Sequence, residues 1–162
     1  MNALLNATAA QCRYQLQTLD QLTAGIDDAA LAREPAPGLK TAGWLVGHLA
    51  VTGDFGRKLC GRPPMCPKEW RAMFNPGTQP SHDAASYPPA ATLVATMRAV
   101  YDDLSRAAPA LDDAIAAGPN PFAPAAHALP TVADFVGYLM SGHLLWHLGQ
   151  LYSWRKADAA RR

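Results

Sequence analysis

The stretch TVADFVGYLMSGHLLWHLGQLYSWRK, Thr131 to Lys156, decides how this chain folds. Val132, Val136, Leu139, His143, Trp146/His147, Gln150 and Trp154 recur at steps of three and four. That is the period of an α-helix with one inward face. Thr131 and Asp134 have capping-box spacing just after Pro130, with Asp in place of the usual Glu or Gln. One helix running to about Lys156 is therefore expected, and its inward face carries two imidazoles, His143 and His147, one turn apart.

Three earlier segments have the same period. Over about Leu4–Asp27, Leu5, Ala9, Cys12, Leu16, Leu19, Thr23 and Ile26 form a stripe that ends at Glu34-Pro35-Ala36-Pro37-Gly38. Thr41 is placed to cap a second helix, about Ala42–Leu59, whose inward stripe is Leu45, His48, Thr52, Phe55 and Leu59. A third, about Ala90–Ala108, repeats Leu93, Met97, Val100, Leu104 and Ala107, with Pro109 as its stop and a short helical turn expected near Asp112–Ala117. Four amphipathic helices without a strand-like run predict an all-α fold, a four-helix bundle occupying residues 1–162 as a single domain.

Residues 61–90, the long connection between the second and third helices, hold seven of the fourteen prolines, together with Trp70, Met73 and Phe74. Connections of this length are usually functional or mobile. A short helix is expected near Pro67–Phe74. Two roles fit the aromatics: walls of a path to a site, with Trp70 and Phe74 the residues concerned, or plugs for the end of the core.

Composition bounds the function. A net charge of +1 provides no field for nucleic acid or an acidic membrane surface. No run approaches the ~20 apolar residues of a membrane span, and the first residues lack the pattern of a signal peptide. Cys12, Cys60 and Cys66 are odd in number and lack CxxC spacing, which fits a reducing cytoplasm; Cys12 falls on the first stripe as a core residue.

The chemistry lies in His48, His143 and His147. One histidine on an apolar face is usually a core residue bonded to a carbonyl. Three on facing stripes are different, because each unsatisfied buried imidazole costs about 1–3 kcal/mol and one metal ion satisfies all three. A carboxylate-bridged di-iron site is excluded, since the only glutamates, Glu34 and Glu69, fall in loops. A zinc-protease motif is excluded as well, because His143-Leu-Leu-Trp-His147 lacks the Glu of HExxH. Asp54 sits nearly opposite His48 around its helix and is not counted as a ligand, while His82 and His127 belong to exposed Pro-rich loops. Gln150 is placed to support a ligand or contact a substrate. A shell of three histidines with open positions suits zinc or nickel first, then iron or manganese.

Gly43-Trp-Leu-Val-Gly-His48-Leu-Ala, together with His143-Leu-Leu-Trp-His147-Leu-Gly-Gln150-Leu-Tyr-Ser-Trp-Arg155, resembles the DinB-like superfamily over essentially the whole chain. The resemblance implies a helical bundle with one divalent metal on His48, His143 and His147, facing a pocket at one end. It also implies a thiol-dependent transferase or isomerase that uses a low-molecular-weight thiol, commonly as a homodimer. A metal-dependent hydrolase and a non-catalytic metal-binding or dimerising domain are the alternatives.

Overall fold

The computed structural model describes residues 2–161, and among them there are helices and turns but no strand. The long helix α1, Ala3–Thr23, starts where Asn2 Oδ1 accepts from the Leu5 amide, and the chain turns away at Gly25, whose φ of 70° is left-handed. The predicted continuation to Asp27 is instead a break followed by a single helical turn, α2, Asp28–Leu31. Helix α3, Ala42–Leu59, is capped by Thr41, whose hydroxyl accepts from the Trp44 amide at 3.3 Å. A short α4, Trp70–Phe74, falls inside the crossover; α5, Ala90–Ala107, follows, and α6, Asp113–Ala116, is the expected short turn.

The last element departs from the sequence pattern. α7, Val132–Tyr138, opens on the full capping box of Thr131 and Asp134. A π-helical segment, Leu139–His143, then intervenes before α8, Leu144–Ala159. The consecutive Leu139 and Met140 of this segment are both buried in the core. A second departure concerns Trp146: placed with His147 on the inward stripe, it is 68% exposed, whereas His147 is 8% exposed. The two are about 100° apart around the helix, and it is His147 that turns inward while Trp146 faces solvent.

One hydrophobic core joins these elements. α3 packs against α5 and α8, and α1 packs against α5, α7 and α8. Leu5, Ala9, Cys12, Leu16 and Leu19 from α1, and Leu93, Met97, Val100 and Leu104 from α5, are buried on the stripes their spacing predicts. α3 is the most enclosed, with residues 42–51 buried on all sides, while Thr52, Phe55 and Leu59 of its predicted stripe are only half-buried. Tyr101 and Val100 fill the space beside Gly53.

The 61–90 crossover is held at both ends. Asp54, 5% exposed, accepts from the amides of Met65 (2.9 Å) and Cys66 (3.2 Å) and from Arg57 Nη1 (2.6 Å). Arg57 also donates to the Pro63 carbonyl and to Asp103 on α5. At the far end, the hydroxyls of Tyr87 and Thr41 are 2.9 Å apart. Between these anchors, Trp70 and Phe74 are buried at 4% and 1% exposure and meet edge to face. No helix among the described residues is long and apolar enough to cross a membrane.

Candidate metal centre

His48 comes from the middle of α3, His143 from the last position of the π segment and His147 from the first turn of α8. Their ligand-capable nitrogens all lie within 4.8 Å of one another. His48 Nε2 is 3.2 Å from His143 Nε2, and the ring centroids of His143 and His147 are 4.6 Å apart. The i, i+4 spacing of His143 and His147 accounts for the second contact. The first depends on how α3 packs across the last element.

Protein groups orient two of the rings. His48 Nδ1 lies 2.8 Å from the Phe74 carbonyl oxygen, and a carbonyl can only accept, so Nδ1 carries the proton. His147 Nδ1 lies 2.7 Å from Gln150 Oε1 and donates to it in the same way. Both rings are thereby left with the Nε2 lone pair directed to the cluster, the arrangement metal-bound histidines generally show. His143 Nδ1 is buried without a protein partner among the described residues.

Electrostatics keep the cluster neutral. Burial pushes His143 down to about 3, with His147 and His48 adding to the effect. Burial likewise takes His147 down to about 4, with His48 adding to it and the Gln150 bond opposing it. His48 is lowered too, mainly by burial, partly offset by the Phe74 bond and deepened by the charge of Lys40. Neutral imidazole is the ligating form. Three converging neutral imidazoles with no carboxylate among them form a group that can hold a divalent metal ion.

The surroundings include residues that the stripe pattern did not single out. Trp44 stacks on His48 with centroids 4.6 Å apart and planes 7° apart, and presents its edge to His147. Its position four residues before His48 is the local signal that could have revealed it. The Trp44 indole donates to Thr78 Oγ1 at 2.9 Å, which ties the crossover across the site. Tyr138 meets His143 edge-on at 5.7 Å. Trp70 and Phe74 turn their side chains into the core; Phe74 reaches the site through its carbonyl, and Trp70 stands behind it. Phe74 can come this close because residue 47 is glycine, where a Cβ would lie 2.5 Å from the Phe74 ring. Gln150 sits directly behind His147 and also lines an open apolar groove with Gly142, Leu145, Trp146, Gly149 and Ser153. His82 and His127 are exposed, and Asp54 is engaged with Arg57 and the crossover, away from the cluster.

The fold and the site together define an all-α protein with a three-histidine centre able to hold a divalent metal. A family model for the DinB superfamily matches residues 11–151, and the chain belongs to that superfamily. No curated protein and no solved structure matches the chain.

Proposed function

We propose that the protein is a divalent-metal-dependent enzyme, with His48, His143 and His147 as ligands and a low-molecular-weight thiol as cosubstrate in a transferase or isomerase reaction. The observation that supports it best is the convergence of three neutral imidazoles, two of them with their Nδ1 protons already engaged by Phe74 and Gln150. A divalent ion bound there would lower the pKa of a thiol or water and keep a nucleophile available at neutral pH.

The remaining roles fall to the chain itself. Phe74 and Gln150 hold the rings in one tautomer, so the lone pairs need no reorganisation before binding. Trp44 and the tied crossover shield one side of the cluster from water. The groove beside Gln150 offers the apolar part of an electrophile a surface, with Leu145 and Trp146 exposed along it. No carboxylate among the described residues joins the cluster to act as a general base, which is why activation of the nucleophile is assigned to the ion. Zinc and nickel are the leading candidates, ahead of iron and manganese.

A second reading, a non-catalytic domain that binds metal and forms a homodimer, draws on one specific feature. Leu145, Trp146 and Tyr152 leave an apolar strip of α8 exposed at 59%, 68% and 53%. Ligand exchange separates the two readings. Protein loaded with cobalt(II) is titrated with small thiols while its absorption spectrum is followed, beside a His48→Ala control. A new thiolate-to-metal band, together with conjugation of the thiol to an electrophile, supports the enzyme. A spectrum indifferent to thiols rules it out.

A further inference from the structure

Between Asp134 and Arg155 the sequence has no acidic residue, lysine or arginine. Surface helices ordinarily carry charge on their outer face, and a helix apolar all round is a buried one. Yet Leu145, Trp146 and Tyr152 of α8 are 59%, 68% and 53% exposed, and Tyr138 of α7 is 38% exposed. With aromatic side chains at about 150–250 Å² each, these four leave on the order of 400 Å² uncovered, about half of the ~800 Å² that each partner gives to a standard interface.

Shape and charge indicate a second copy of this chain as the cover. Gly142 and Gly149 stand equally far before and after the Leu145–Trp146 pair, and all four line one open groove. An antiparallel pairing of two α8 helices about that point sets Gly142 of one copy level with Gly149 of the other and brings the Leu145–Trp146 pairs together. A Cβ at Gly149 would meet nothing within 4 Å, so the space beside it is open to a neighbour's side chain. A face without charge does not repel its own copy, and it offers a charged partner nothing to pair with.

The groove reaches two of the three histidines. Gln150, part of its lining, accepts from His147 Nδ1 at 2.7 Å. Gly142, also in the lining, lies under the Tyr138 ring, which a Cβ there would approach to 3.2 Å, and that ring meets His143 edge-on at 5.7 Å. An ion on His147 Nε2 strengthens Nδ1–H as a donor and so fixes Gln150 at the edge of the groove.

We infer that α8 pairs two copies of this chain, and that metal binding and dimerisation reinforce each other through Gln150. The inference rests on the three histidines holding a metal, whatever reaction that metal serves. The groove takes one occupant at a time, so an electrophile seated there would compete with the second copy.

Sedimentation equilibrium of the full chain, metal-free and zinc-saturated, tests this. The wild type should dimerise in both states, about three- to tenfold more tightly with zinc, because the ion has already ordered a side chain that the interface would otherwise immobilise. Trp146→Glu and Gly149→Arg, both at exposed positions, should be monomeric and still bind zinc. Gln150→Leu and His48→Ala should dimerise without responding to zinc, the latter separating the centre from zinc held between two surfaces. A wild type that stays monomeric at its highest soluble concentration, a dimer that survives both groove variants, or a dimer equally tight with and without zinc would each overturn the inference. So would a zinc effect that persists in Gln150→Leu or His48→Ala. Elemental analysis judges the metal separately: zinc bound without effect on the dimer sinks only the linkage, whereas protein that retains no zinc loses the metal reading as well.

Discussion

The Nδ1–H of His48 donates to the carbonyl oxygen of Phe74 across 2.8 Å, joining residues 26 apart in sequence. Through this bond the crossover determines which nitrogen of His48 faces His143 and His147. The approach is possible because Gly47, next to His48, has no side chain to hold the Phe74 ring away.

Gly47→Ala should therefore disturb the centre without changing any ligand. A Cβ at that position would lie 2.5 Å from the Phe74 ring, which has to move and carry its carbonyl off His48. Overpacking of this kind costs about 1–3 kcal/mol of stability. Urea unfolding of the metal-free variant should show that loss, and chelator competition should show weaker zinc binding. Wild-type metal affinity in a destabilised variant would show that the Phe74 contact does not position His48.

Gln150 makes the corresponding contact to His147 at 2.7 Å. Removing such a partner typically lowers metal affinity about 10–100-fold. Gln150→Leu should do so in competition with a chromophoric chelator, whereas Gln150→Glu, which keeps an acceptor, should retain most of the affinity. Equal losses in the two variants would argue that Gln150 matters through packing alone.

Acid should destabilise the metal-free protein before its carboxylates titrate. Unfolded histidines take up a proton near pH ~6.5, while burial holds His143 down to about 3 and His147 to about 4. Between those limits the unfolded state binds more protons, so stability falls as the pH drops. The contribution is complete above pH ~6.5 and is progressively lost toward pH ~4 and below. Asp103, held below its usual value chiefly by its bond to Arg62, adds its own loss as the pH falls through the ordinary carboxylate range and below it. Urea unfolding at several pH values should show this slope, and His143→Leu should flatten it. An unchanged slope in that variant would contradict the assignment.

Asp54 is a structural carboxylate, and its removal should be felt in stability first. It is 5% exposed and accepts from Arg57, Met65 and Cys66. Asp54→Ala leaves a buried guanidinium with only part of its partners and frees the start of the crossover, a loss of about 3–5 kcal/mol. Chemical denaturation measures it. A cost below about 1 kcal/mol, the range of exposed pairs, would mean that Asp103 alone satisfies Arg57.

The sequence by itself determined the all-helical class, the buried stripes of two helices and the identity of the histidines. Stripes at steps of three and four placed the buried faces of α1 and α5, because helical period and burial are both local properties of the chain. Thr41, Thr131 and Asp134 marked helix starts for the same reason: a cap bonds to an amide two or three residues away. The pairing of His143 with His147 was legible too, through a spacing of one turn. Trp44 escaped the stripe reading although its spacing from His48 was in view, since an aromatic at that position is equally at home in an ordinary core.

Only the tertiary structure decided the rest. The π segment at Leu139–His143 reflects competition between core packing and the hydrogen-bond ladder, which apolar spacing alone does not record. Whether Trp146 or His147 turned inward depended on where α3 lies across α8. The roles of Phe74 and Thr78 depended on how the crossover closes over α3, and such contacts between distant residues carry no periodic signature.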